Sequence, residues 1–134
     1  MKQIIVPSEI EEMATLAVDA AFAVHQELGP GLLESAYEAC FARELELRSV
    51  RYQRQLAVPL SYKGNIIEVG FRADVIIGQK LLIELKAVEE IAPIHKAQVI
   101  TYLKLLRLPL GLLINFHEIL IKDGIRRIPN LHLM

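Results

Sequence analysis

Leu81-Leu82-Ile83-Glu84-Leu85-Lys86-Ala87-Val88 reads as a buried β-strand that carries a carboxylate and an ammonium in its middle. Charged groups are expelled from such places unless something pairs them or uses them. Side chains alternate along a strand, so Glu84 and Lys86 project to the same side. Just upstream, the strand-like run from Val69 to Ile77 carries Asp74 in the same way. Gly78-Gln79 is turn chemistry, which makes the two strands neighbours and lets both carboxylates converge at one edge of a sheet.

The flanking sequence supplies the rest of the architecture. Leu56, Val58, Leu60 and Tyr62 alternate along one strand, and Lys63-Gly64-Asn65 folds it back on the next, about Ile66 to Ile77. Val69, Phe71, Ala73, Val75 and Ile77 share the apolar face of that second strand. Downstream, Pro93 opens a helix over about Ile94 to Leu106. Leu110 to Phe116 reads as a fully buried strand reached by a crossover, hence parallel to a neighbour. Towards the N-terminus, Ser8 and Glu11 have capping-box spacing. Ile10, Met13, Ala14, Ala17, Ala21, Val24 and Leu28 follow at helical spacing until Gly29-Pro30-Gly31 stops them. A second helix spans about Leu33 to Arg48, with Leu33, Tyr37, Cys40, Phe41 and Leu45 on one stripe. Asp123-Gly124 predicts a terminal hairpin between 119–122 and 125–128.

The order is helix, helix, three strands, helix, strand, hairpin. It implies an α/β fold with one mixed central sheet flanked by helices. At 134 residues the expectation is a single domain, 1–134, with an extra N-terminal helix at about 8–28 and a core over about 31–130.

Composition narrows the function classes. The chain is 53% hydrophobic with mean hydropathy +0.35, which implies a filled core and apolar surface left for self-association as a homodimer. No apolar run is long enough to span a bilayer. Cys40 is the only cysteine, so no internal disulfide forms and the cytoplasm is the expected compartment. A net charge of -1 argues against coating nucleic acid through a broad basic face, and leaves room for a local grip on a few phosphates.

Asp74, Glu84 and Lys86 carry the candidate chemistry. Carboxylates held together repel, and one takes a proton unless a cation offsets them. A hard divalent ion such as Mg²⁺ binds one or two carboxylates, waters and a substrate phosphate. Lys86 beside it suits a phosphodiester transition state. The plain alternative is a solvated Glu84–Lys86 pair at a sheet edge. Glu34, in the first turn of its helix, is a candidate third acid or simply a complement to the helix dipole. Gln98 and Tyr102, one helical turn apart, face the same way as candidate substrate-binding groups, and a buried, satisfied amide is the plain alternative. His95 is the histidine nearest this site in sequence and a candidate phosphate contact.

Gly31-Leu32-Leu33-Glu34-Ser35-Ala36-Tyr37 matches the G-x-x-E-x-x-Y signature of the bacterial GxxExxY protein family. That family resembles the PD-(D/E)XK nuclease superfamily, whose restriction-endonuclease-like core has the order αβββαβ. The resemblance runs from about His25 to Asn130. It implies that Asp74, Glu84, Glu34 and the backbone carbonyl of Leu85 hold Mg²⁺ or Mn²⁺, and that Lys86 is the catalytic lysine. Gln98 and Tyr102 resemble the Q-x-x-x-Y pair of the exonuclease-like branch. Ala73 stands where the superfamily's name has proline, and His117 where the relatives have glycine. The implied activity is metal-dependent hydrolysis of DNA. The alternative is an inactive module on the same scaffold that binds nucleic acid or a protein.

Overall fold

The computed structural model describes residues 5–68 and 70–133; Val69, assigned above to an apolar strand face, lies outside them. Two helices come first, α1 (Ser8–Leu28) and α2 (Glu34–Leu47). The strands β1 (Tyr52–Ala57), β2 (Leu60–Tyr62), β3 (Asn65–Ile67), β4 (Arg72–Ile77) and β5 (Leu81–Lys86) follow. Helix α3 (Pro93–Leu106) then leads to β6 (Leu110–Asn115) and β7 (Ile125–Pro129). Five strands form one sheet in the order β1-β4-β5-β6-β7. Only the β5–β6 pair among them is parallel, reached through the α3 crossover. The fold is therefore the mixed α/β architecture expected from the sequence.

The two central strands explain why the chain is so apolar. Every residue of β6, and all of β5 except half-buried Lys86, is buried. Helices α1 and α2 cover one face, where Val75, Ile77, Leu81, Ile83, Leu85, Leu112 and Ile114 meet Ala17, Ala21, Phe41 and Leu45. Helix α3 covers the other, with Val99, Tyr102 and Leu103 on Ile76, Leu82 and Leu113. Each such aliphatic side chain contributes roughly 1.5–3 kcal/mol on burial, which makes β5 a rigid base for whatever projects from its end. Apolar side chains also stay outside, including Tyr62, Ile66 and Ile119. Among the described residues, no helix is long and apolar enough to cross a membrane.

Four local expectations are corrected. The alternating run from Leu56 to Tyr62 is not one strand. Pro59 has no N–H to donate, and the chain breaks there. Strands β2 and β3 form a separate two-stranded ribbon beyond the β1–β4 pair, closed by the expected turn at Lys63-Gly64. Phe71 is half-exposed rather than core, with its ring tilted against Tyr102 at 6.3 Å. Ser8 makes no side-chain cap; Pro7 accepts the first helical N–H groups, from Ile10 at 3.0 Å and Glu11 at 3.1 Å. The Glu11 carboxylate is drawn away to Arg127 of β7.

The fourth correction concerns the terminal hairpin. Residues Ile121–Gly124 coil into a 3₁₀ turn, and β7 pairs antiparallel with β6 from Ile114↔Ile125 to Leu110↔Pro129. An isolated hairpin is marginal in water, whereas the open edge of β6 offers a buried ladder. Gly124 makes this turn possible. A Cβ there would press on the Asn115 carbonyl oxygen and come within 2.8 Å of Glu118 Cγ. Gly124→Ala is therefore expected to lower the unfolding free energy by about 1–3 kcal/mol, read as a lower urea midpoint; an unchanged midpoint would show that the turn has slack.

Candidate functional site

The site begins where β4 and β5 part. Their ladder pairs Ile77↔Leu81, Ile76↔Leu82 and Val75↔Ile83, and stops there. One more step would pair Asp74 with Glu84. The strands separate instead, and the Asp74 carboxylate replaces a main-chain acceptor: its Oδ2 takes the Leu85 N–H at 2.8 Å. A buried N–H must find a partner, so this bond fixes the aspartate at the fork. Meanwhile the parallel β5–β6 ladder runs unbroken to Lys86↔Asn115 and is extended by the Phe116 N–H to the Lys86 carbonyl at 2.8 Å. Strand β5 thus stays straight while β4 peels away.

Glu84 sits beside Asp74 with only 3% of its surface exposed, and its buried Oε1 has no hydrogen-bond partner among the described residues. Burial pushes its carboxyl up to about 10, helped by a hydrogen bond with Asp74 and by the Asp74 charge, against a smaller opposing pull from Lys86. The isolated site therefore holds a proton on Glu84 at neutral pH. A buried acid pair with one unpartnered oxygen fits a hard cation, which would replace that proton. Among the described residues, no group of three His, Cys, Asp or Glu side chains is assembled tightly enough to enclose a metal. The arrangement is accordingly open, a carboxylate pair at the mouth of a fork.

Glu34 approaches from α2. Its Oε1 lies 3.4 Å from the Ala87 N–H, just past the end of β5. Together with Asp74, Leu85, Ser35, Glu38 and Gln55 it lines a cavity of about 350 Å³. The loop before α2 sets this approach. Tyr37, fully buried, stacks on Phe116 with centroids 4.5 Å apart. Its hydroxyl donates to the Gly29 carbonyl at 2.5 Å and accepts the Leu32 N–H at 3.2 Å. Gly29 and Gly31 both take positive φ in that loop, which glycine does without steric cost. The tyrosine of the G-x-x-E-x-x-Y stretch is thus a core clasp, and the glutamate is what it presents.

Lys86 points to the α3 side. Its Nζ donates to Gln98 Oε1 at 3.2 Å, and Gln98 Nε2 donates to the Tyr102 hydroxyl at 3.2 Å. The two ends of the amide have distinct partners, so the oxygen is directed at the lysine. Burial raises the Tyr102 hydroxyl pKa, the Gln98 bond lowers it, and the Glu84 and Asp74 charges raise it further. His95 makes a different contact: its Nδ1 accepts the Ala92 N–H at 2.9 Å and closes the start of α3.

Three builders of the site were not identified from the sequence. Glu38, 8% exposed, receives Arg54 through Nε at 3.2 Å and a second nitrogen at 3.0 Å. Gln55 Nε2 reaches Glu38 at 2.6 Å and Asp74 Oδ1 at 3.4 Å. Asn115, fully buried, accepts the Val88 N–H at 3.0 Å and donates to its carbonyl at 2.8 Å, which ties down the segment leaving β5. A polar residue ending an all-apolar strand was the available signal for Asn115. Glu38 and Gln55 had none without the strand register.

A larger cleft of about 680 Å³ lies at the other end of the β1–β4 pair, lined by Val50, Arg51, Gly78 and neighbours. It contains no carboxylate. The smaller cavity at the fork is the chemically equipped one.

A family model described as the PD-(D/E)XK nuclease superfamily matches residues 11–128. The chain belongs to that superfamily. No curated protein and no solved structure matches it significantly. Membership brings a nuclease-type domain whose members generally use divalent metal ions.

The proton on Glu84 has a consequence for stability. Folding raises this carboxyl from an ordinary 4.5 to about 10, so between those values the folded chain binds a proton that the unfolded chain has released. Stability contributed by Glu84 is therefore complete at low pH and is lost as pH rises, by at most about 1.4 kcal/mol per pH unit. In metal-chelated buffer, Tm should fall more steeply from about pH 6 to about pH 9 for the wild type than for Glu84→Gln. Parallel Tm profiles would mean that Glu84 is not held protonated.

Proposed function

We propose that this domain is a Mg²⁺- or Mn²⁺-dependent nuclease that hydrolyses phosphodiester bonds of DNA. The observation that carries the reading is the buried Glu84 carboxyl with its unpartnered oxygen beside Asp74 at the strand fork. Asp74, Glu84, the Leu85 carbonyl and Glu34 are the groups that would hold the ion. Bound there, a divalent cation supplies charge neutralisation at the phosphoryl oxygens and acidifies a water.

The chain's own residues supply orientation. Lys86 keeps one N–H on Gln98 and retains two for a phosphate oxygen or the attacking water. Tyr102 holds the far end of the Gln98 amide, so the lysine is aimed by a chain anchored in the α3 core. The Leu85 N–H holds Asp74 at the fork, and the low accessibility of Glu84 makes its charge available only when a cation replaces its proton. DNA is preferred over a bulk protein substrate because the hard acid pair and lysine suit a phosphodiester. The net charge of -1 favours a second reading, a non-cleaving module on the same scaffold, since it provides little long-range attraction for polyanions.

Purified protein should nick or degrade plasmid DNA with Mg²⁺ or Mn²⁺, and EDTA should stop it. Lys86→Ala should keep the wild-type Tm and Mn²⁺ affinity while losing about 10²- to 10⁴-fold in rate. Cutting by Lys86→Ala at the wild-type rate would contradict the assignment. Mn²⁺ binding without cleavage of DNA or RNA would favour the second reading.

A further inference from the structure

We propose that Gln55 is a positioning residue for the metal-binding carboxylates, linking Asp74 to Glu38 of α2, which is itself paired with Arg54 of β1; this rests on the reading of Asp74 as a metal ligand. Three observations converge on it. First, register: Arg54 faces Val75 and Leu56 faces Ala73, so Gln55 stands level with Asp74. Second, backbone: Gln55 has φ of 52° inside a strand, a left-handed conformation that non-glycine residues adopt at a cost and that concentrates where function demands it. The Arg72 guanidinium grips the Gln55 carbonyl at 3.1 Å and holds that conformation in place. Third, contacts: Gln55 Nε2 donates to Glu38 Oε1 at 2.6 Å and approaches Asp74 Oδ1 at 3.4 Å.

The chemistry of this bridge is specific. Asp74 has two oxygens, and the Leu85 N–H fixes only Oδ2. The Gln55 amide approaches Oδ1. Glu38 is in turn held by both guanidinium contacts from Arg54, so the amide is anchored at one end and steers the aspartate with the other. A carboxylate held by an outer hydrogen bond presents a fixed oxygen to a cation, and removal of such partners typically costs 10- to 100-fold in metal affinity. A glutamine is long enough to span both acids, and its NH₂ supplies two donors for two acceptors.

The left-handed backbone gives the test its discrimination. Glycine and asparagine tolerate that φ better than glutamine does. Gln55→Gly removes the amide, and Gln55→Asn shortens it by one methylene, while both relieve backbone strain. The experiment is calorimetric Mn²⁺ titration of the 134-residue wild type, Gln55→Gly, Gln55→Asn and Glu84→Gln, with Tm measured in EDTA on the same samples. Both Gln55 variants should keep or exceed the wild-type Tm and bind Mn²⁺ about 10- to 100-fold more weakly, with Glu84→Gln binding weakest. Wild-type Mn²⁺ affinity in the Gln55 variants, with loss only in Glu84→Gln, would overturn the positioning role and leave the metal site standing. Affinity that falls only together with Tm would reduce Gln55 to a structural residue. A wild type that binds no Mn²⁺ would overturn both this inference and the metal-dependent reading.

Discussion

The structure depends on one imbalance in strand pairing. Strand β5 is held on its β6 side by a parallel ladder that continues to Lys86, while on its β4 side the ladder ends at Val75–Ile83. A main-chain donor in a buried strand cannot be left without an acceptor. Where β4 peels away, the Asp74 side chain supplies that acceptor for Leu85. The aspartate is thereby committed to the fork, and the glutamate one residue earlier is committed to the interior. Both placements follow from the same departure of one strand, and neither needs the acids to attract one another.

The energetic character of the site follows from burial. An ionised Glu84, buried beside Asp74, would face repulsion and lost hydration together. A proton removes the problem in the isolated chain, and a divalent cation removes it with the opposite result, two ionised ligands instead of one. Lys86 sits two residues along the same strand and is turned towards α3 by Gln98, so it adds charge near the pair without neutralising it. The apolar packing of α1, α2 and α3 on the two faces of the sheet opposes any relaxation that would let water reach Glu84.

The fold was largely legible in the sequence, because its central strands are defined by strong patterns. Leu110 to Ile114 has no polar side chain, and Leu81 to Lys86 breaks its apolar run only at Glu84 and Lys86. The helices differ from expectation by a residue or so at their ends. The errors lie where long-range contacts override local signals. Glu11 has a capping position and is taken by Arg127; residues 125–128 have a hairpin signal and are taken by β6. In the site, Asp74, Glu84, Lys86, Gln98 and Tyr102 were visible because each is a polar group in an apolar context or at helical spacing from another. Gln55 was not, because it lies in the polar run Gln53-Arg54-Gln55, and Glu38 was not, because its partners come from a strand distant in sequence. Only the register that sets Gln55 against Asp74, and the turn of α2 that brings Glu38 inward, gives them a role.

The central claim is that a single buried proton on the Asp74–Glu84 pair gives way to a divalent cation. Counting protons on metal binding tests it most directly, by titrating Mn²⁺ into the protein at pH 7 in buffers of different ionisation enthalpy. The account predicts release of about one proton per Mn²⁺ bound, and no release from a metal-binding Glu84→Gln variant. Mn²⁺ binding to the wild type with no proton released would contradict it.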